Sequence, residues 1–206
     1  MSTRSRIAAV TLALALAGTA SSSQAREIYI SPMAGYTTAG NLELGQNDAK
    51  DVKVKGGLTW GGQIGFMAHE GFTFEASYMQ QESHLSVLGV DRIGLKVGQL
   101  HGNFLFEKIR YGSNMHPYFL LGLGATFFNP DRDFDTVSRF SLGLGGGIKV
   151  EGEKIGLKLQ AKYNPTYLND DWGGTWCDPF YCYQVADPDY LDQGEFSAGL
   201  MYKLGN

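Results

Sequence analysis

Apolar and non-apolar residues alternate one for one in eight stretches of this chain, and across the central span of each the apolar face carries no charge. A period of two is the repeat of a β-strand, whose side chains point to opposite faces in turn. In the last stretch Phe196, Ala198, Leu200, Tyr202 and Leu204 share one face, and Glu195, Ser197, Gly199, Met201 and Lys203 share the other. A soluble sandwich would turn the apolar set inward and line its outside with charge. Here the apolar faces are rich in aromatics, while the opposite faces hold glycine, glutamine and lysine. This inversion predicts an all-β fold: an eight-stranded antiparallel up-and-down transmembrane β-barrel, bathed in lipid and polar within.

The predicted strands cover 27–37, 57–68, 72–82, 95–107, 117–128, 139–150, 155–167 and 195–204. Each is about ten residues, the length with which a tilted strand crosses hydrocarbon. The connections after the second, fourth and sixth strands are short. Those after the first, third, fifth and seventh are longer, and the last runs over 168–194. Short periplasmic turns and long external loops are the outer-membrane pattern, so both termini are expected in the periplasm. That orientation sorts the aromatics into two girdles. Tyr36, Trp60, Tyr78, Phe127, Phe140, Tyr163 and Phe196 fall at the outer interface; Phe66, Phe72, Phe104, Phe106, Phe119 and Tyr202 fall at the inner one.

The chain's start reads as an export signal over 1–25, leaving one barrel domain over 26–206. Arg4 and Arg6 precede an apolar run at 7–17, and Ser23-Gln24-Ala25 makes a small-x-small cleavage site. The run is too short to cross a bilayer as a helix. Without the signal the formal charge falls from -4 to about -6, which disfavours a nucleic-acid partner. Cys177 and Cys182 stand close together in the last long connection, and an exported protein meets an oxidising compartment, so a disulfide between them is expected.

Inward positions collect an unusual charge set: Glu75, Glu107 and Glu195 with Lys149, Lys158, Lys162 and Lys203, joined by Gln63, Gln99, His101, Asn103 and Gln160. A barrel of eight strands is only wide enough for side chains to fill it. Charges there must pair. A structural polar plug is the leading expectation, and a narrow pore for small solutes is the alternative.

The segment 116–125, HPYFLLGLGA, the segment 141–147, SLGLGGG, and the closing 197–204, SAGLMYKL, resemble the small eight-stranded outer-membrane barrels. These include the OmpA transmembrane domain, OmpX and the opacity-type porin-family proteins. The resemblance covers essentially the whole mature chain. It implies residence in the outer membrane of a Gram-negative bacterium and insertion by the barrel assembly machinery. The closing strand departs from the family's assembly signal by ending in Leu204-Gly205-Asn206, without a terminal aromatic.

Catalytic signals are sparse. His84-Leu85-Ser86 has the spacing of the His-x-Ser found in outer-membrane lipid A deacylases, where a hydroxyl nucleophile and its base face lipid. Its continuation, Val87-Leu88-Gly89, lacks the expected asparagine, and neither Glu82 nor Asp91 fits well as the orienting acid. His69, His101 and His116 have no metal-ligand spacing. The last connection is acidic, with Asp170, Asp171, Asp178, Asp187, Asp189 and Asp192, and it carries Trp172, Trp176, Phe180, Tyr181, Tyr183 and Tyr190 as contact candidates. Asp131, Asp133 and Asp135 add carboxylates in the third long connection, without a complete calcium-loop motif. Rigid aromatics among carboxylates suit a recognition surface. The expected function is a non-enzymatic, monomeric outer-membrane barrel without cofactor. It would contact lipid and lipopolysaccharide and serve binding, adhesion or envelope integrity through an extracellular ligand. A small-solute porin and a lipid A-modifying enzyme are the other readings.

Overall fold

A computed structural model of the protein describes residues 27–42, 52–87, 90–109, 112–130, 136–167, 175–177, 182–184 and 190–204. Every regular element among them is a strand. In chain order these are β1 (Ile28–Thr37), β2 (Gly40–Leu42), β3 (Val52–Val54), β4 (Gly57–His69), β5 (Phe72–Val87), β6 (Val90–Glu107), β7 (Met115–Pro130), β8 (Val137–Val150), β9 (Ile155–Tyr167), β10 (Thr175–Cys177), β11 (Cys182–Gln184) and β12 (Tyr190–Lys203). Eight of them form a ring: β1 pairs with β4, each strand from β4 to β9 pairs with the next, β9 pairs with β12, and β12 returns to β1. Every pairing is antiparallel, so the sheet closes and its barrel strands have no free edge.

The closure is staggered. Gly147 on β8 faces Gln160, and the path continues through Ser197, Gly35, Thr59, Gln81, Val97 and Phe128 to Val137. It therefore re-enters β8 ten residues from its start, between positions 147 and 137. Such a shear tilts the strands and brings side chains from widely separated strands to one level of the lumen.

Alternation sorts the two faces as the sequence predicts. Leu58, Trp60, Ile64, Leu123, Phe140, Ile155, Phe196 and Leu200 lie exposed on the outside, whereas Thr73, Glu75, His101, Asn103, Lys149, Lys158 and Glu195 are buried. On the outer face of the β5–β6 hairpin, Phe72 meets Phe104 and Phe106 at centroid distances of 6.0 and 5.5 Å, part of the girdle nearer the termini. Gly71, at φ +81°, turns β4 into β5, a left-handed conformation suited to glycine.

Three predicted boundaries need correction. No long loop follows the third barrel strand. The β5–β6 ladder continues through Ser83 opposite Leu95 and Leu85 opposite Ile93 to Val87 opposite Val90. The hairpin outgrows a membrane crossing because β3 pairs with its β5 arm, Val54 opposite Leu85, and β2 pairs with β3. A raised sheet thus stands on the end of the barrel opposite the termini, the loop end. Tyr190 is also no loop residue: it opens β12 on the outer face, its ring 5.4 Å from that of Tyr167. Asp192 lies on the same face and accepts a hydrogen bond of 2.6 Å from the Tyr163 hydroxyl.

Candidate functional site in the barrel lumen

Inward parity on eight strands delivers a column of polar side chains, stacked in tiers from the termini end to the loop end. At the termini rim, Lys203 Nζ bridges Glu27 Oε1 at 2.7 Å and Glu151 Oε2 at 2.6 Å. This corrects its assignment to the interior network. As the last residue of β12, Lys203 reaches past the lumen to a turn and to the segment preceding β1.

The next tier is a closed charge box. Lys149 and Lys158 are directly opposite across the β8–β9 ladder. Like charges so placed repel, and each is neutralised by a glutamate, one two strands away and one on the far wall. Lys149 Nζ donates to Glu107 Oε1 at 2.6 Å, which also accepts from Thr73 at 2.6 Å. Lys158 Nζ donates to Glu75 Oε2 and, at 2.7 Å, to Gln63 Oε1. Tyr29 donates its hydroxyl to the same Glu75 oxygen at 2.7 Å. The rings of Tyr29 and Tyr118 flank both ammonium groups, with Lys149 Nζ 4.6 Å from the Tyr29 centroid and Lys158 Nζ 5.4 Å from that of Tyr118. Ring faces attract cations most where water is absent. Gln160 closes the box by accepting from Gln63 and from the Tyr118 hydroxyl.

Above it, His101 is held between Lys162 Nζ, 3.1 Å from Nδ1, and Ser141 Oγ, 2.9 Å from Nε2. Glu195 sits across the β9–β12 ladder from Lys162 and accepts from Ser197 at 3.2 Å. A neutral amide tier follows. Asn164 donates to Gln99, Gln99 to Gln193, Gln193 to Gln81, and Gln81 to the backbone carbonyl of Lys55, a one-way chain across the lumen. The mouth is closed by an apolar tier of buried Val54, Leu95, Val97, Phe128 and Leu191. Val54 is carried there by β3, which is fastened where Ser83 Oγ and Gln81 Nε2 both donate to the Lys55 carbonyl, at 2.7 and 3.0 Å.

Glu75, His101, Lys149, Lys158, Lys162 and Glu195 thus lie in the lumen, with Lys203 at its rim. Tyr29, Tyr118, Ser141, Asn164 and Gln193 are the participants that charge-seeking missed; their only sequence signal is inward parity. Of the surface-contact candidates, Trp172, Phe180 and Tyr181 lie outside the described residues, as do Asp131, Asp133 and Asp135 and the expected signal over 1–25. Trp176 and Tyr183 face each other across the β10–β11 ladder, as do Cys177 and Cys182. His84 is exposed on β5, away from the lumen.

The Ser141–His101 pair has the spacing of a nucleophile and its base, but the other imidazole nitrogen meets an ammonium where a triad needs an acceptor. Among the described residues no three His, Cys, Asp or Glu side chains converge to hold a metal.

A closed eight-stranded barrel with a polar, internally paired lumen and an apolar belt defines an outer-membrane protein. The family model of the outer membrane protein beta-barrel domain matches residues 7–203, and the chain belongs to that family. Its localisation is accordingly the outer membrane of a Gram-negative bacterium. Among solved structures, Neisserial surface protein A (NspA) superposes with a TM-score of 0.59 at 15% identity, over 86% of this chain and 97% of that one. AlkL, solved by solid-state NMR in DMPC bilayers, gives 0.56 at 12% identity, over 91% and 95%. Ail of Yersinia pestis, crystallised with the heparin analogue sucrose octasulfate, gives 0.50 at 16% identity, over 88% and 100%. At these identities the likeness is one of fold. No curated protein matches the sequence.

Proposed function

We propose that this protein is a non-enzymatic, monomeric outer-membrane barrel with a plugged lumen, whose loop end faces outward as a contact surface. The observation that carries the reading is the pairing of Lys149 with Glu107 and of Lys158 with Glu75 across the lumen, beneath an apolar closure at Val54, Leu95, Val97, Phe128 and Leu191. A pore would need a continuous wet path with mobile counter-ions. Here the two lysines of the charge box are committed to two glutamates, and apolar side chains fill the mouth. The raised sheet of β2, β3, β5 and β6 lifts polar backbone beyond the apolar belt, where a binding or envelope-integrity role is served. The acidic, aromatic segment between β9 and β12 suits an extracellular ligand or lipopolysaccharide held through divalent cations. Insertion falls to the barrel assembly machinery.

Two measurements test this. In a planar bilayer the purified protein shows little or no steady current at neutral pH; stable, size-selective conductance overturns the plug in favour of a porin. An affinity tag placed between Asp171 and Trp172 is labelled on intact cells. Labelling only after envelope disruption overturns the outward loop end and the periplasmic termini.

A further inference from the structure

The tier around His101 contains hydrogen-bonding capacity that is conspicuously unused. An ammonium has three protons to donate, yet buried Lys162 meets one acceptor, His101 Nδ1. Three buried acceptors nearby, Asn103 Oδ1, Glu75 Oε1 and Asn164 Oδ1, have no hydrogen-bond partner. Glu75 and Asn103 face each other across the β5–β6 ladder, two residues along from the Ser77–His101 pair. The glycines between them and Lys162 leave a passage. A Cβ on Gly143 would lie 2.8 Å from Lys162 Cε, Gly143 is the cross-strand partner of Gly122, and a Cβ on Gly122 would collide with Asn103 Oδ1. The lysine stem therefore runs along one side of a window that has the vacant amide oxygen on its other side.

The protonation state follows from the donors. Lys162 can only donate, so Nδ1 presents its lone pair and the ring proton sits on Nε2, donated to Ser141 Oγ. We propose that Lys162 is a two-position lever driven by protonation of His101. When Nδ1 takes up a proton from solution, its lone pair is gone and two cations confront each other in a low-dielectric interior. Lys162 then withdraws through the Gly122–Gly143 window to Asn103 Oδ1 and Glu75 Oε1. A third open acceptor, Asn164 Oδ1, lies beside Gly143 toward the loop end, but it is a lone neutral oxygen, whereas the downward pair includes the Glu75 carboxylate and so holds a cation more strongly. β8 offers Ser141, β7 offers Gly124, β5 offers Ser77, whose hydroxyl lies 3.5 Å from the His101 carbonyl, and β9 offers Lys162 itself. The carboxylate of Glu195 on β12 faces Lys162 rather than the imidazole. Acidification would thus re-pair the central tier and loosen the plug beneath the amide chain. The inference rests on the plugged-lumen reading and gives that plug a trigger.

The test uses the full-length mature protein in lipid vesicles, labelled with 15N at histidine and lysine. His101→Gln assigns the His101 signals among the four histidines. Near neutrality the expected ring has a bare Nδ1 and a protonated Nε2. On titration from about pH 7 to about pH 2 both nitrogens become protonated and the Lys162 Nζ signal moves in the same step, while brief bilayer openings become severalfold more frequent. Asn103→Leu removes the landing site; it retains the imidazole step and loses both the Lys162 movement and the added openings. His101→Gln shows no acid-induced rise. A folded protein whose His101 stays singly protonated throughout, or whose Lys162 signal is indifferent to its titration, overturns the lever, as does an undiminished acid rise in His101→Gln. Steady conductance already present at neutrality overturns the plug instead, and the nitrogen signals still decide the lever.

Discussion

Replacing Glu75 by glutamine changes almost no volume, so its effect isolates charge. Glu75 and Lys158 are both fully buried, and no solvent screening discounts their attraction. In Glu75→Gln the amide has one oxygen to offer where Lys158 Nζ and the Tyr29 hydroxyl both donate, and its own N–H groups point among donors. Breaking a buried pair from one side leaves an uncompensated charge and costs about 3–5 kcal/mol. Lys158→Met should cost a similar amount, because it strands the Glu75 carboxylate with only the Tyr29 hydroxyl. The double variant carries neither charge and recovers most of either loss, since apolar or neutral replacement of an entire buried pair is often near neutral. The expected coupling is therefore about 3 kcal/mol, the upper end for contacting residues. Equilibrium urea unfolding from phospholipid vesicles measures it, provided the slope m is common to all four proteins. Two additive losses, or a Glu75→Gln loss below about 1 kcal/mol, would refute the charge-box account.

Two shorter predictions bear on the outer face and the loops. Leu144 is 43% exposed on the lipid side between Leu121 and Tyr163, so Leu144→Arg should cost about 2–4 kcal/mol in the same unfolding assay; a loss no greater than that of Leu144→Ala would mean that inside and outside are reversed. Cys177 and Cys182 are register partners in the β10–β11 ladder, and an exported protein meets an oxidising compartment. They should resist alkylation until reduced, leaving the barrel folded after reduction, and free alkylation of the native protein would count against the bond.

The barrel was legible because its signal is local. Phe196, Ala198, Leu200 and Tyr202 need only the two-residue period to declare their face, and burial follows it residue by residue. The raised sheet was harder to see. Leu85 and Ile93 continue the alternation, but Asp91, Arg92 and His84 interrupt it, and the segment is stabilised by β3, a three-residue strand too short to leave a periodic trace. Which lysine meets which glutamate was not legible at all. Lys149 and Lys158 are neighbours across one ladder, yet Lys149 pairs with Glu107 two strands away and Lys158 with Glu75 on the opposite wall, choices that parity alone does not specify. Lys203 read as interior for a related reason: parity gives a side chain's direction but not how far along the axis its strand has risen.

The staggered closure dictates when the protein can become stable. The bonds that span the lumen join residues far apart in the chain: Lys158 to Glu75 across 83 positions, Gln63 to Gln160 across 97 and Gln193 to Gln81 across 112. The seam joins the first barrel strand to the last. A half-finished sheet therefore offers hydrocarbon a row of lysines and glutamates whose counterparts have yet to arrive, at a cost of several kcal/mol for each stranded ion. Membrane entry and ring closure must then proceed as one concerted event, with the nascent edges shielded until β12 reaches β1. The polar core that keeps the finished barrel shut is, during biogenesis, the reason no fragment of it can settle in the bilayer alone.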